Sequence, residues 1–473
     1  MTSHSTLLWL LLAPTFLVAQ TLFYVSPSGN DSWSGTLPEA NIGQSDGPFA
    51  TPERARDAVR TADSFPVTVF FRDGVYFVKK PWRFEAKDSG QKNAQISYQN
   101  YGDERPIISG GIIIDQWQFE GNLWVTTLDD VKNGEIYFKE LYVNDERRDR
   151  ARHPNKVQFL RINGSVPEND HNAFYFYPGD VSLYQNIQDV NICLYQAWLA
   201  IHLRIDQINI GQSNIVFSPR LWFAASEFDN HTRYYIENAF ELLDQPGEWY
   251  LNRRTGQLFY YPIPGETPES CTVIAACVDR VLELSGSATG GAQVEYLNFS
   301  GLRFQNADWI VTSVDKTEGQ AHILLDDAVI YLKGASNCTI KRCEVALGGA
   351  HGIVLSQGCS NNVIEQCHVH ALGGGGIYIG NTSGWNACEE ATMAAQINTN
   401  TVQNCYIHDL THVHHGSVGI WIGNSFDNQI LHNEISDLDY TGISVGWCWG
   451  YQAATSGNNL IAFNHIHHLG QGE

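Results

Sequence analysis

With 51 acidic side chains against 29 basic ones, the 473-residue chain carries a net charge of −22. That balance argues against nucleic acid and anionic membranes as partners, and it would repel a polyanionic substrate as well. Forty-two glycines, two methionines and 12% aromatic residues describe a β-rich extracellular protein better than a helical one.

The chain opens on an apolar run, "LLWLLLAPTFLVA" at 7–19, too short to span a bilayer and followed at once by polar sequence. Segment 1–19 therefore reads as a signal peptide cleaved after Ala19, although its first residues lack Lys and Arg. No later stretch reaches the roughly 18 apolar residues of a membrane helix. A secreted protein without a membrane span is expected, and the sequons at Asn30, Asn163, Asn230, Asn298, Asn337 and Asn381 agree with glycosylation.

Residues 20–110 read as an N-terminal cap and the first coil or coils of a solenoid. Thr51 and Pro52 fit the N-cap and first position of a short helix, and the strand-turn-strand "VTVFFRDGVYFV" at 67–78 is expected to help cover the solenoid end. From 111 to 285 dense aromatic alternation predicts an inserted antiparallel domain, sandwich-like or barrel-like. One hairpin in it, "GEWYLNRRTGQLFYYP", turns near Asn252–Gly256. Its arginine run, Arg147, Arg148, Arg150 and Arg152, is of the kind that local acids neutralise, with substrate contact as the alternative.

Residues 286–473 contain a repeat. "NCTIKRCEV" (337–345), "NNVIEQCHV" (361–369), "TNTVQNCYI" (399–407), "DNQILHNEI" (427–435) and "NNLIAFNHI" (458–466) share a polar start, Cys or Asn at the seventh place and Val or Ile at the ninth. A weaker copy lies at 294–302. Short alternations separated by glycine-rich turns, at a period of about two dozen residues, predict an all-β fold: a right-handed parallel β-helix. Cys343, Cys367 and Cys405 should then stack inside as small buried hydrophobes continued by Asn433 and Asn464. Cys271–Cys277 and Cys388–Cys448 are open disulfide pairings. The last copy stops at Glu473, before its second strand, which reads as a truncated solenoid.

Eleven of the 17 histidines fall in 337–473, where Lys341 and Arg342 are the only basic residues. A β-helix lyase acting on uronates needs cationic groups that this face does not supply. It offers columns of acids instead. Two residues beyond the ninth place lie Leu347, Ala371, Asp409, Asp437 and His468, so Asp409 and Asp437 should be neighbours about 4.8 Å apart. Paired carboxyl groups at such spacing share protons unequally and can hydrolyse glycosides; the structural alternative is an Asx turn. Asp439, on the same loop, is a third catalytic candidate. The histidines at 408–415 lack the spacing of a metal site, so no metal and no cofactor are expected.

For substrate contact, "GWCWGYQ" places Trp447, Trp449 and Tyr451 at every second position, a ladder on one face if the segment is a strand. Trp421 holds the matching place one coil earlier. Aromatic faces suit the apolar faces of sugar rings, and His351, His370, His408, His415, Tyr440 and His468 complete the expected rim.

The stretches "FYVSPSGNDSWSGT", "DGPFATPERARDAVR", "ELYVNDERRDRARHPN", "ENAFELLDQPGEWYLNRRTGQLFYYP" and "NEISDLDYTGISVGWCWG" resemble secreted β-helix glycosidases of glycoside hydrolase family 141, a pectate-lyase-like solenoid. The resemblance implies α-L-fucosidase or xylanase action on a polysaccharide or oligosaccharide by paired aspartates, with Asp437 as the position carried over. It also implies that relatives continue into a further acidic coil and carry proline where this chain has Asp439. A polysaccharide lyase and a non-catalytic carbohydrate-binding β-helix are the alternatives. Oligomeric state is left open.

Overall fold

The computed structural model describes residues 20–309, 319–380, 396–451 and 453–471. The signal-like segment 1–19, Asn381, Cys388 and Glu473 lie outside them.

Each repeat bends at three single residues. The first place of every copy has φ between 52° and 57° (Asn337, Asn361, Thr399, Asp427, Asn458). The residue before the Cys/Asn position is also left-handed, as at Gln366, Asn404 and His432, and so is the column Leu347, Ala371, Asp409, Asp437, His468. One left-handed residue turns the chain sharply without a loop, and Asn or Asp pays least for it. The polar first place is thus a corner.

Between corners run the strands of three parallel sheets. The first has nine strands, from Thr21–Val25 to Leu460–Ala462, the second eight, from Gly74–Phe77 to His465–Leu469, and the third seven, from Trp82–Phe84 to Thr441–Gly446. The molecule is a right-handed parallel β-helix. Its core stacks like on like: Ile340, Ile364, Val402 and Ile430 from the first sheet, Cys343, Cys367 and Cys405 at the corner, and Ile353, Ile377 and Ile420 from the third. The three ladder cysteines are buried free thiols.

Two buried asparagine ladders run beside them. Asn433 Oδ1 accepts from Cys405 N–H and Asn464 Oδ1 from Asn433 N–H, each at 3.0 Å. At the second place of the repeat, Asn362, Asn400, Asn428 and Asn459 likewise take the backbone N–H of the coil before, at 3.0–3.1 Å. Corner amides are thereby satisfied inside the core.

The helix Pro52–Val59, capped by Thr51 Oγ1 accepting from Arg54 N–H at 3.2 Å, buries Ala55, Ala58 and Val59 against the first coils. The 67–78 segment is no cover. Val67–Phe71 pairs parallel with Thr21–Val25 and Ile96–Asn100, and Gly74–Phe77 with Pro106–Ser109, so it is itself a solenoid coil bent at Arg72–Asp73.

The solenoid also closes over the insertion. Ile96–Asn100 pairs with Leu297–Ser300, Pro106–Ser109 with Arg303–Gln305, and Trp82–Phe84 with Leu282–Ser285. The insert's strands therefore run from Gly111–Ile114 to Val273–Ala276, and Leu282–Ser285, expected at its end, belongs to the third sheet. Its apolar alternation fits either partner, and only the pairing decides. The insert consists of an eight-stranded sheet and a six-stranded barrel that Arg233–Glu237 closes by pairing with Asn191–Gln196. The expected hairpin forms between Glu248–Asn252 and Gln257–Tyr260.

Docking of the insert sets up the site. Arg147 Nη2 donates to the corner carbonyls of Gly348 and Ala371 at 2.8 and 3.2 Å, Lys139 N–H to the Asp308 carboxylate at 3.2 Å, and Trp309 Nε1 to Glu140 at 3.2 Å. At Gly416 the barrel comes so close that a Cβ would lie 2.9 Å from Trp198 O. Only glycine permits that approach.

Candidate active-site cleft between the inserted domain and the solenoid

A cavity of about 610 Å³ opens between the two parts, walled by Trp198, Trp222 and Phe223 of the insert, Trp447 and Trp449 of the solenoid, and Gln320. This volume suits a small organic ligand, and an apolar wall with few polar groups is the usual composition of such sites. The tryptophans do not form a strand ladder. The strand ends at Gly446 (φ 122°), Trp447 is left-handed (φ 68°), and the two indoles meet edge to face at 6.1 Å. Trp447 Nε1 donates to Ser444 Oγ at 3.0 Å, which holds its face toward the cavity. Tyr451 is fully exposed at the loop tip and is not part of the wall.

Trp198 and Leu199 are shared with an adjoining recess of about 150 Å³ lined also by Tyr195, Arg233, His415, Asp439 and Tyr440. In it His415 Nδ1 lies 2.7 Å from Asp439 Oδ2. Thr411 Oγ1 accepts from the Asp439 N–H at 3.2 Å, and Gln320 donates to Tyr440 OH at 3.1 Å. Arg233 lies 5.2 Å over the Tyr195 ring, which in turn leans on His415 at 5.4 Å. The recess thus holds a carboxylate, an imidazole, a guanidinium and two phenols beside an aromatic wall.

Several expected site residues lie elsewhere. Asp409 and Asp437 do stack in adjacent coils, since Leu410 N–H reaches Asp437 O at 3.4 Å. They occupy corner positions, however, and among the described residues line neither the cavity nor the recess. Asp409 is bound by His412 at 2.9 Å, which holds its carboxyl below the usual range, and Asp437 by Ser436 Oγ at 2.7 Å with His468 at 3.7 Å. Asp437 thus faces the outer side of the second sheet, with His370, His408 and His468, and Asp439 faces the aromatic wall. Only Leu438 separates them, and the chain turns at Asp437 itself.

Trp421 and His351 are fully buried and cannot meet a substrate. Trp421 stacks on Tyr378 at 5.6 Å behind Trp447. His351 stacks on Tyr378 at 3.8 Å, accepts from Gly375 N–H and faces His322 O at 3.2 Å, and burial pushes its pKa down to about 3. Both sit on the outer face of the third sheet, which an exposed solenoid would present to solvent; here a segment around His322 and the loop of Trp447 cover it. Cys271 and Cys277 are free thiols, whereas Cys448 is disulfide-bonded.

The comparisons divide the chain at the same junction. Residues 289–392 and 328–472 match the model of a right-handed β-helix region, and residues 121–263 match that of the GH141 insertion domain. Among solved structures, one described as a glycoside hydrolase shares 22% identity over 96% of this chain and 84% of its own, with a TM-score of 0.81. XylC, solved in complex with xylose, shares 13% over 95% of this chain, which spans 62% of it, with a TM-score of 0.52. No curated protein matches. The protein is a glycoside-hydrolase-like β-helix.

The inserted domain supplies Trp198, Trp222, Phe223, Tyr195 and Arg233, none of which sequence reasoning singled out. Their only signal was the insert's aromatic density, which is equally a core signal. Its arginine run mostly pairs internally: Arg147 with Glu140, Arg148 with Glu266 at 2.8 Å, and Arg150 with Glu237 at 2.6 Å. Two carboxyls beneath this interface, Asp308 and Glu248, are pushed up to about 7 by burial. Asp308 binds Lys139 N–H and so serves the docking of the domain, whereas Glu248 holds the backbone of Asp244 and Gln245 within the domain itself.

Proposed function

We propose that this chain is a secreted glycoside hydrolase acting on a neutral polysaccharide or oligosaccharide, xylan-like or α-L-fucosylated, at the cleft under the insertion domain. The observation that carries the reading is the His415–Asp439 pair, which opens beside an aromatic wall built from both halves of the molecule. Sugar rings stack on Trp449 and Trp222 while Gln320 and Tyr440 fix their hydroxyls. The Asp439 carboxylate acts at the anomeric carbon, and His415 orients it and delivers a proton to the leaving oxygen, a part that a second carboxylic acid plays in most glycosidases. Asp437, around the corner, is the competing carboxylate. The GH141 insertion domain, the glycoside hydrolase fold neighbour and the xylose complex of XylC all support a carbohydrate substrate.

The test is sugar release from xylan and from fucosylated oligosaccharides by the full chain and by Asp439→Asn and Asp437→Asn separately. Asp439→Asn should abolish release while binding survives. Loss confined to Asp437→Asn would move the chemistry to the corner.

A lyase is the second reading, favoured by one observation: the insertion domain brings Arg233 and Tyr195, a cation and a phenol, into a face that the repeat left without bases. Products absorbing as unsaturated uronates would establish it. Glycan binding without any released product would instead establish a non-catalytic binding protein.

A further inference from the structure

On the second sheet, away from the cleft, three imidazoles from two consecutive coils converge. His368 and His370 share the strand His368–His370, and His408 ends the next strand, Tyr406–His408, in register with His370. One ring nitrogen of each lies within 4.8 Å of the others, and His368 Nε2 is 2.8 Å from His408 Nε2. We propose that His368, His370 and His408 form a binding site for a divalent late-transition-metal ion of the zinc or copper class.

Three nitrogens at about 2.0–2.1 Å from a tetrahedral ion stand roughly 3.3 Å apart, so the closest pair needs to open by about half an ångström. The rings lie nearly parallel, His368 and His408 at 5.0 Å and 16°, His370 and His408 at 5.5 Å and 7°, so they must also tilt until each points a lone pair at the shared ion. Both rings of one strand are held by neighbours. Tyr406 stacks on His368 at 5.4 Å, and Glu344 binds His370 Nε2 at 3.0 Å, as a carboxylate commonly orients a metal-bound histidine.

Charge favours a cation there. The groups facing the cluster include Glu344, Asp409, Asp437 and Glu434, with Arg303, itself 3.5 Å from Glu344, opposing them. Imidazole donors without thiolate select zinc, copper or nickel over magnesium or calcium. Such an ion would clip adjacent coils together at the face carrying Asp409 and Asp437.

Calorimetric titration of the untagged, EDTA-treated full chain with zinc chloride at neutral pH tests this. One ion per chain is expected, absent from His368→Ala/His408→Ala and retained in His467→Ala, which removes a ligand of the separate exposed cluster Glu434, His465 and His467. Cobalt loading should give the intense visible bands of a tetrahedral site, and Glu344→Gln should weaken binding about tenfold or more. Should the double variant fold poorly, His370→Gln alone must lower affinity. No binding by the wild type, or equal binding by the folded variants, overturns the proposal.

Discussion

His415 Nδ1 and Asp439 Oδ2, 2.7 Å apart, join two consecutive coils of the solenoid, and the His415 ring rests 5.4 Å from Tyr195 of the inserted barrel. One ion pair therefore touches all three walls of the recess. If it positions and protonates, His415→Gln should lower kcat on a released-sugar assay by roughly 10²–10⁴-fold, the usual weight of a proton-transfer group. Stability should change little, since the ring is replaced by a polar side chain at a partly open site.

Trp449 and Trp421 separate binding from packing. Trp449 is about half exposed, 49%, and lines the cavity, whereas Trp421 is fully buried. Trp449→Ala should raise KM about tenfold with kcat nearly kept, the mark of a uniform binding contact. Trp421→Ala should cost about 3–5 kcal/mol of unfolding free energy, measured in urea, because it empties a large site between Tyr378 and Trp447.

Acid should destabilise the fold through His351. Its imidazole titrates near 3 in the folded protein because burial disfavours the cation, against an ordinary value of 6.5. Between those values the unfolded chain binds a proton that the native state refuses, so stability falls as pH falls, by about 1.4 kcal/mol per unit at most. Above pH 6.5 this contribution is level. Urea melts from pH 7 to pH 4 should show a smaller decline for His351→Gln than for the wild type.

The inner asparagine ladder should be costly to cut. Asn400 is fully buried, takes the Asn362 N–H at 3.1 Å and gives to Cys359 O at 3.2 Å. Asn400→Ala leaves the Asn362 N–H unpaired, while Cys359 O keeps the Asn398 N–H at 3.2 Å, and one such buried group costs about 1–3 kcal/mol. A urea midpoint shift of that size at unchanged m-value is the expected outcome, and an unchanged midpoint would show that water replaces the amide.

Much of the architecture was legible in the sequence, since a solenoid writes its period into the chain. Asn337, Asn361 and Asp427 mark corners, Ile340, Ile364 and Ile430 mark the inward face, and Cys343, Cys367 and Cys405 mark the next bend, because each place in the coil meets the same neighbours at every turn. The Asn362–Asn400–Asn428 ladder was written there too, at the second place of the repeat. The cleft under the inserted domain was not. Trp198 and Trp222 meet Trp449 only because Arg147 and Lys139 seat the insertion domain on corner carbonyls and on Asp308, roughly two hundred residues along the chain from its partners.

The same distinction explains the misplaced residues. Local pattern determined the coils, their register and the stacking of Asp409 on Asp437, because those depend on nearest neighbours. Which side of the corner opens into the recess, that of Asp439 rather than Asp437, and which aromatic rings are covered, Trp421 and His351 rather than Trp449, was decided by docking. A solenoid's outer faces look alike from within one coil, and only a second body laid across them makes one face a cleft and leaves the other to solvent.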